Sequence, residues 1–547
     1  MDALTGLNTA SPITKSLLLA TIITAVVYFL QRYLTVQKDP EEPPYIYARI
    51  PVIGHLLGII KDGAKYYTSL EKKYSLPIYA LPVLTGRLYM VTSPEWAQAI
   101  HRAHKTMQFN ELIAPAMKSL FALDEPSMEI VNTNKNGEDG TWESILLEIH
   151  DMLFSVLAPG PDLDSVNHGI LSKLMPDVNQ LAKGGSTSTT KLWYWLRHRL
   201  SIAGVETIWG PRSPFSRHPE MEEDFWTFEA SAGALAMAPY PYMFARKGYK
   251  ARERLFEIFE EYVEAGGYKD AETSQLAKNR VSINMDKYGL SKRMFAQGEC
   301  SLLFGALLNT IPTGFWLISH IFSDKALLAR VRAEVDGCIS IGDTPNRRII
   351  NVPELRTSSV LLAACFRETL RVAGGVNSSR WVAADTTVTN TSTGESYVLK
   401  KGSVVQIASN VIHQRSLWGD DPQVFDPTRF LSTAEKAKSE AGGGRPQDPA
   451  APFRDTNGKM YSGAFRSFGG GNNICPGRHF AQTEILTLAA IFVAGFEIEN
   501  VDGDGKYKMP AVETRWLALG VMKPKTDVEV NIRRRKGWED VEFGFEM

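Results

Sequence analysis

Eleven residues, Phe468-Gly469-Gly470-Gly471-Asn472-Asn473-Ile474-Cys475-Pro476-Gly477-Arg478, place one cysteine in a glycine-rich loop directly before a helix-forming stretch. A free cysteine usually just fills core space, but these neighbours suit its sulfur to other chemistry. Three consecutive glycines leave the backbone bare, so a flat group can lie against it. Phe468 supplies an aromatic wall, and Pro476 suits the opening of a helix that would carry Arg478, Phe480, Ala481, Glu484 and Ile485. Sulfur near a helix N-terminus is favoured as thiolate. A thiolate held there can serve as axial ligand to a haem iron, and a cysteinate-ligated haem iron can cleave O–O bonds. His479 is the one other soft ligand nearby, too few for a zinc site.

Other chemistry-bearing residues lie upstream. Glu368 and Arg371 stand three apart, on one helix face. The apolar run VLLAACF precedes them, so the pair is expected to be buried, at a desolvation cost that a further partner must offset. Arg429, within FDPTRF at 425–430, could fork onto Glu368 as that partner. Arg380 opens a strand after that helix; a solvated strand-end arginine is the alternative. In Ala306-Leu307-Leu308-Asn309-Thr310-Ile311-Pro312, the Thr310 hydroxyl could hold a water and pass protons. Pro312 has no N–H for the Leu308 carbonyl, so a kink is expected, opening a groove; a plain kink with a capping threonine is the alternative.

The string F-x-x-G-x-x-x-C-x-G, carried by Phe468, Gly471, Cys475 and Gly477, resembles the haem-binding loop of the cytochrome P450 superfamily. Glu368 and Arg371 match the family's ExxR motif, and Arg429 its downstream arginine. The resemblance implies a mainly α fold with small β-sheets, and haem b (iron protoporphyrin IX) with Cys475 as axial iron ligand. It implies O2 and NADPH as co-substrates, with electrons from an NADPH-dependent cytochrome P450 reductase, and a lipophilic small-molecule substrate that is hydroxylated or epoxidised. It makes Arg380 a haem-propionate ligand. The family often carries Arg or His two residues before the cysteine; here Asn473 stands there, so propionate binding must lean on other groups. In place of the family's A-G-x-[D/E]-T, Thr310 is kept and Asn309 replaces the acid. The string NTIPTGFW is similar to the branch holding steroid 7-alpha-hydroxylases and prostacyclin synthases. The GPRSPF break at 210–215 and the polar insertion at 436–452 resemble fungal membrane-bound members, many of which serve secondary metabolism (terpenoid, steroid-like or polyketide products). Two alternatives stay open: an isomerase or dehydratase needing no external electrons, motivated by Asn309, and a non-enzymatic haem carrier or sensor. Arg466 and Arg478 are expected to face the reductase.

The elements that must position these residues are mostly helices. A helix is expected over 66–74, strands at 78–84 and 87–92 with Pro82 confining the first to an edge, and a helix from Pro94. Residues 111–145 read as a long loop segment and 145–340 as mostly helical, with a break at 210–215, an amphipathic helix over 247–265 and a buried central helix over 297–322. Strands alternate through 375–408. Residues 436–452 read as a surface insertion, and a helix and a few strands close the chain. The substrate pocket is expected to draw on 111–145, Ala306, Leu307, 374–379 and 516–519.

Composition fits a globular protein: 44% apolar, 22% charged and a net charge of −1, which implies no nucleic-acid partner. The four cysteines, Cys300, Cys338, Cys365 and Cys475, are too scattered for a disulfide framework and point to a reducing compartment; the first three read as core. Residues 16–30 are uncharged and span about 22 Å as a helix, approaching a bilayer core when extended to 34. No small-x-small cleavage site follows, so a single-pass anchor is favoured over a cleaved signal. Arg32 and Lys38 against Lys15 favour a cytosolic C-terminal side. The expected organisation is a tail (1–15), a transmembrane anchor (16–34), a proline-rich linker (35–50) and one catalytic domain (51–547) on the endoplasmic reticulum membrane, in contact with membrane lipid.

Overall fold

The computed structural model describes Thr21 and residues 38–238, 240–375, 377–432, 448–455, 458–502, 505–513 and 520–547. The expected anchor, apart from Thr21, the insertion at 436–452, apart from 448–452, and the pocket segment 516–519 lie outside these.

The main sheet has five strands: β1 (Ile78–Val83), β2 (Gly86–Val91), β3 (Met107–Gln108), β4 (Asn377–Val382) and β5 (Val404–Ala408), in the order β1-β2-β5-β4-β3. β1 is an edge strand, the place where Pro82 can lack an N–H without breaking a ladder. β4 runs antiparallel to β5 with Arg380 opposite Val405. The 38–50 segment is no free spacer: Glu42 is buried against Arg87 and Tyr89, and Tyr45 bridges to Ala80, so the folded body already includes it.

Six helices carry the site: α1 (Pro94–Arg102), α2 (Ile145–Val156), α3 (Lys292–Leu307), α4 (Thr310–Ser323), α5 (Val360–Ala373) and α6 (Arg478–Gly495). α4 is buried from Thr310 to Phe322 and packs on α5 and α6, themselves almost wholly buried. Each fully buried Leu, Ile or Phe there contributes about 1.5–3 kcal/mol of apolar transfer. α3 and α4 together, Lys292–Ser323, are long and apolar enough to cross a membrane, yet most of their apolar length is buried inside the body.

Two expectations need correction. Residues 111–145 hold two helices, Asn110–Ser119 and Glu125–Asn132; Asp124 caps the second through the Ser127 N–H. The polar residues read as a loop are this cap and the exposed faces. The strand Thr187–Lys191 interrupts the helical region and pairs with Glu529–Arg534 from the far end of the chain, a long-range partner that periodicity cannot reveal. The central helix is interrupted as Pro312 leads one to expect: its ladder lapses at Leu308–Asn309, at the carbonyl that Pro312, four residues on and without an N–H, cannot satisfy.

Candidate functional site

Cys475 closes the loop. Its N–H donates to the Phe468 carbonyl (2.9 Å), and Gly469 and Gly471 take φ of +75° and +65°, a region costly for any side chain. Gly477 caps α6, so Pro476 lies just outside the helix rather than at its first residue. The backbone of Gly477 hydrogen-bonds the sulfur, which lowers the thiol pKa, but burial wins and pushes it up. Without a bound cation the residue is therefore a thiol; a metal at the sulfur is what would favour the thiolate.

The sulfur faces a cavity of about 320 Å³, at the lower end of the ~300–1,000 Å³ of ordinary small-molecule sites. Phe468, Gly469 and Gly477 flank Cys475; Ala306, Asn309 and Thr310 form another wall, with Leu153, Leu302, Phe366 and Leu370 among the apolar residues between. Leu307 turns away and meets Gly204 instead, and of the segments expected to line the pocket neither 111–145 nor the described part of 374–379 does so. The helix α2 and the residues just after it take that place through Leu153 and Leu157. Thr310 is buried, and its hydroxyl has no partner among the described residues.

Beside the loop lies an uncompensated cation cluster. Arg380 donates to the Gly470 carbonyl (3.2 Å) and the Ser379 carbonyl (2.7 Å). Arg466 donates to His101 Nε2 (3.0 Å), and its Nε has no acceptor among the described residues. Both arginines are 5% exposed, and no carboxylate lies within ion-pair distance of either among the described residues. Burial lowers Arg380 to about 10 and, with Arg380 beside it, Arg466 to about 9. Burial and both arginines hold His101 at about 3, hence neutral. Two buried positive charges lacking an acid, next to bare glycine backbone and a cysteine, fit a flat macrocycle bearing carboxylates. Arg466 thus does not face a partner protein. The groups that could answer for Asn473 are Arg466 and His101, far apart in sequence (α1 and the loop), which motif spacing could not pair.

The brace behind the loop is fully buried. Arg371 Nε and Nη2 donate to the two Glu368 oxygens (2.7 and 2.6 Å). Arg429 does not fork onto Glu368; its Nε stands 3.4 Å from Oε1 while its Nη atoms donate to the carbonyls of Trp418, Asp421 and Val424. The second partner of Oε1 is the Asp426 N–H (2.9 Å).

His413 links brace to loop: Nδ1 donates to the Arg371 carbonyl (3.1 Å) and Nε2 accepts the Arg466 N–H (3.1 Å). Burial, then Arg371 and Arg466, hold it at about 3. Its folded pKa lies below the unfolded 6.5, so the unfolded state takes the proton first; stability is full above pH 6.5 and lost as pH falls toward 3. The expected loss is about 2 kcal/mol by pH 5. Thermal midpoints between pH 7.5 and 5 should fall, and His413→Asn, which keeps a donor and an acceptor, should flatten the slope. His101 and His320, also held neutral, act in the same direction and leave a residual slope.

Comparison with known proteins bears on what this site is. The family model described as Cytochrome P450 matches residues 235–530. The chain is 28% identical to Cytochrome P450 monooxygenase nodJ of Hypoxylon pulicicidum, covering 93% of each chain. It is 27% identical to a Cytochrome P450 monooxygenase of Gibberella zeae, covering 97% of each. It is 21% identical to Cytochrome P450 7B1 of Mus musculus, over 98% of this chain and 100% of that one.

Proposed function

The chain belongs to the cytochrome P450 family and is an enzyme of its monooxygenase class, and we propose that it hydroxylates or epoxidises a lipophilic small molecule, with Cys475 as axial ligand of haem b and electrons drawn from NADPH through a cytochrome P450 reductase. The observation that carries this reading is the single cavity bounded by Cys475 and Thr310, with apolar walls between. Bound haem supplies the site of O2 reduction and oxygen transfer. Gly469 and Gly471 would let the backbone lie against it, Gly477 would steady the sulfur, and Arg380 and Arg466 would neutralise its carboxylates. The cavity walls exclude water and orient an apolar substrate. Thr310, with its hydroxyl uncommitted, holds the water that delivers protons. The direct test is turnover of purified protein with reductase, NADPH and a panel of terpenoid, steroid-like and polyketide substrates: a product one oxygen heavier, with NADPH consumed, is expected. Asn309 in the acid's position favours a second reading, a rearrangement or dehydration without external electrons; turnover with no NADPH consumed would select it.

Thr310→Ala should leave NADPH oxidation running while product per NADPH falls about tenfold or more and hydrogen peroxide rises, as expected on losing a positioned proton donor.

An anchored enzyme can draw substrate from the bilayer. Two exposed apolar stretches support contact of the catalytic domain with a lipid surface, which we assign to the cytosolic side of the endoplasmic reticulum membrane. One holds Met237, Tyr240, Tyr242, Met243 and Phe244 (69% exposed); the other, near the start of the folded body, holds Tyr47, Ile50, Ile53, Leu57 and Ile60. Replacing Met243 and Phe244 by serine is expected to weaken binding to phospholipid vesicles several-fold, read by flotation, without changing the thermal midpoint.

A further inference from the structure

Asn309 stands where the family carries an acid, yet its side chain is committed to structure. Its Oδ1 accepts the Val521 N–H at 2.9 Å. Gly520 lies so close that an added Cβ would sit 2.5 Å from Asn309 Oδ1 and 2.9 Å from Leu308 Cγ. The segment Gly520-Val521-Met522 thus rests directly on the break between α3 and α4. Further contacts hold it there: Trp316 Nε1 donates to the Met522 carbonyl (2.6 Å), the Met522 N–H donates to the Ala373 carbonyl (3.0 Å), and Val521 bridges to Gly374. Asn309 and Val521 both line the cavity.

We infer that Asn309 is a positioning residue that ties the Gly520–Met522 segment to the helix break and so fixes one wall of the substrate space. This deepens the reading of the cavity as a haem-and-substrate site and rests on it. The chemistry explains the residue type. The position needs an acceptor for a single backbone N–H, which the neutral amide oxygen supplies while the rest of Asn309 stays exposed at the cavity. A side chain committed this way is not the proton relay, which leaves that task to Thr310.

The test compares Asn309→Leu, Asn309→Asp and Gly520→Ala in the full chain. Two azole probes are titrated by absorbance: imidazole, which needs only the iron, and clotrimazole, which fills the cavity. Asn309→Leu should weaken clotrimazole about fivefold, the worth of one partly buried hydrogen bond, with imidazole changed less than about twofold. Amide exchange at Val521 should accelerate about tenfold or more. Gly520→Ala should shift both readouts the same way, and Asn309→Asp, which keeps an acceptor, should leave Val521 exchange slow. Unchanged clotrimazole affinity and unchanged exchange in Asn309→Leu and Gly520→Ala overturn the inference. So does a rise in product per NADPH confined to Asn309→Asp with Val521 exchange insensitive to every variant, which would make the position a relay. Exchange is read on the protein whether or not haem is loaded. Absence of a thiolate-type carbon monoxide spectrum in the unaltered chain therefore counts against the haem reading alone, while exchange still judges the role of Asn309.

Discussion

Cys475→Ala is expected to abolish the thiolate-type carbon monoxide spectrum and all monooxygenase turnover, while the protein stays folded. Both halves follow from the site. The sulfur is the sole thiol bordering the cavity; Cys300, Cys338 and Cys365 are free but buried elsewhere in the core, and none lines it. No other cysteine can therefore substitute within reach. The fold does not lean on the side chain, because the contact that closes the loop runs from the Cys475 backbone N–H to Phe468, and alanine keeps it. Losing a sulfur in contact with Gly477 costs about 1–2 kcal/mol at most, a fraction of a domain's ~5–15 kcal/mol. The checks are the carbon monoxide difference spectrum and the thermal midpoint of the metal-free protein. Cys475→His should bind haem with a different, non-thiolate spectrum. A normal thiolate spectrum in Cys475→Ala would remove the assignment of the ligand.

The local parts of this site were legible in sequence because they are encoded locally. The cysteine loop, the i, i+3 pair on α5 and the strands around Arg380 each depend on neighbours within a few residues. What was not legible depends on pairs far apart in the chain. Arg466 reads as a solvent-facing cation because charge usually is; its burial against His101 needs α1 to lie across the loop, a contact 365 residues apart. Asn309 reads as a lost acid, and its bond to Val521 crosses 212 residues. Pro312, by contrast, marks the helix break directly, because the Leu308 carbonyl at the lapse is the one its missing N–H leaves free.

Breaking the Glu368–Arg371 pair is expected to cost nearly as much as losing Cys475, through stability rather than chemistry. Both side chains are essentially fully buried. Glu368→Ala leaves the Arg371 charge unpaired in the interior, at about 3–5 kcal/mol, a large share of ~5–15 kcal/mol. Haem-loaded protein should fall to a small fraction of the unaltered yield. Arg371→Lys should not rescue, because one ammonium cannot reach both carboxylate oxygens and also the His413 and Pro422 carbonyls, each 2.6 Å from Nη1. The double replacement Glu368→Leu with Arg371→Leu separates two causes. If the pair matters only through mutual compensation, removing both charges should restore most of the stability, as buried pairs often tolerate apolar replacement. Here the double variant should remain poor, because it strands the His413 and Pro422 carbonyls and the Asp426 N–H that the pair satisfies. That outcome, read as haem content per polypeptide and thermal midpoint, would locate the role of the pair in pinning the 413–426 segment. From there His413 carries the constraint through the Arg466 N–H into the loop that presents Cys475.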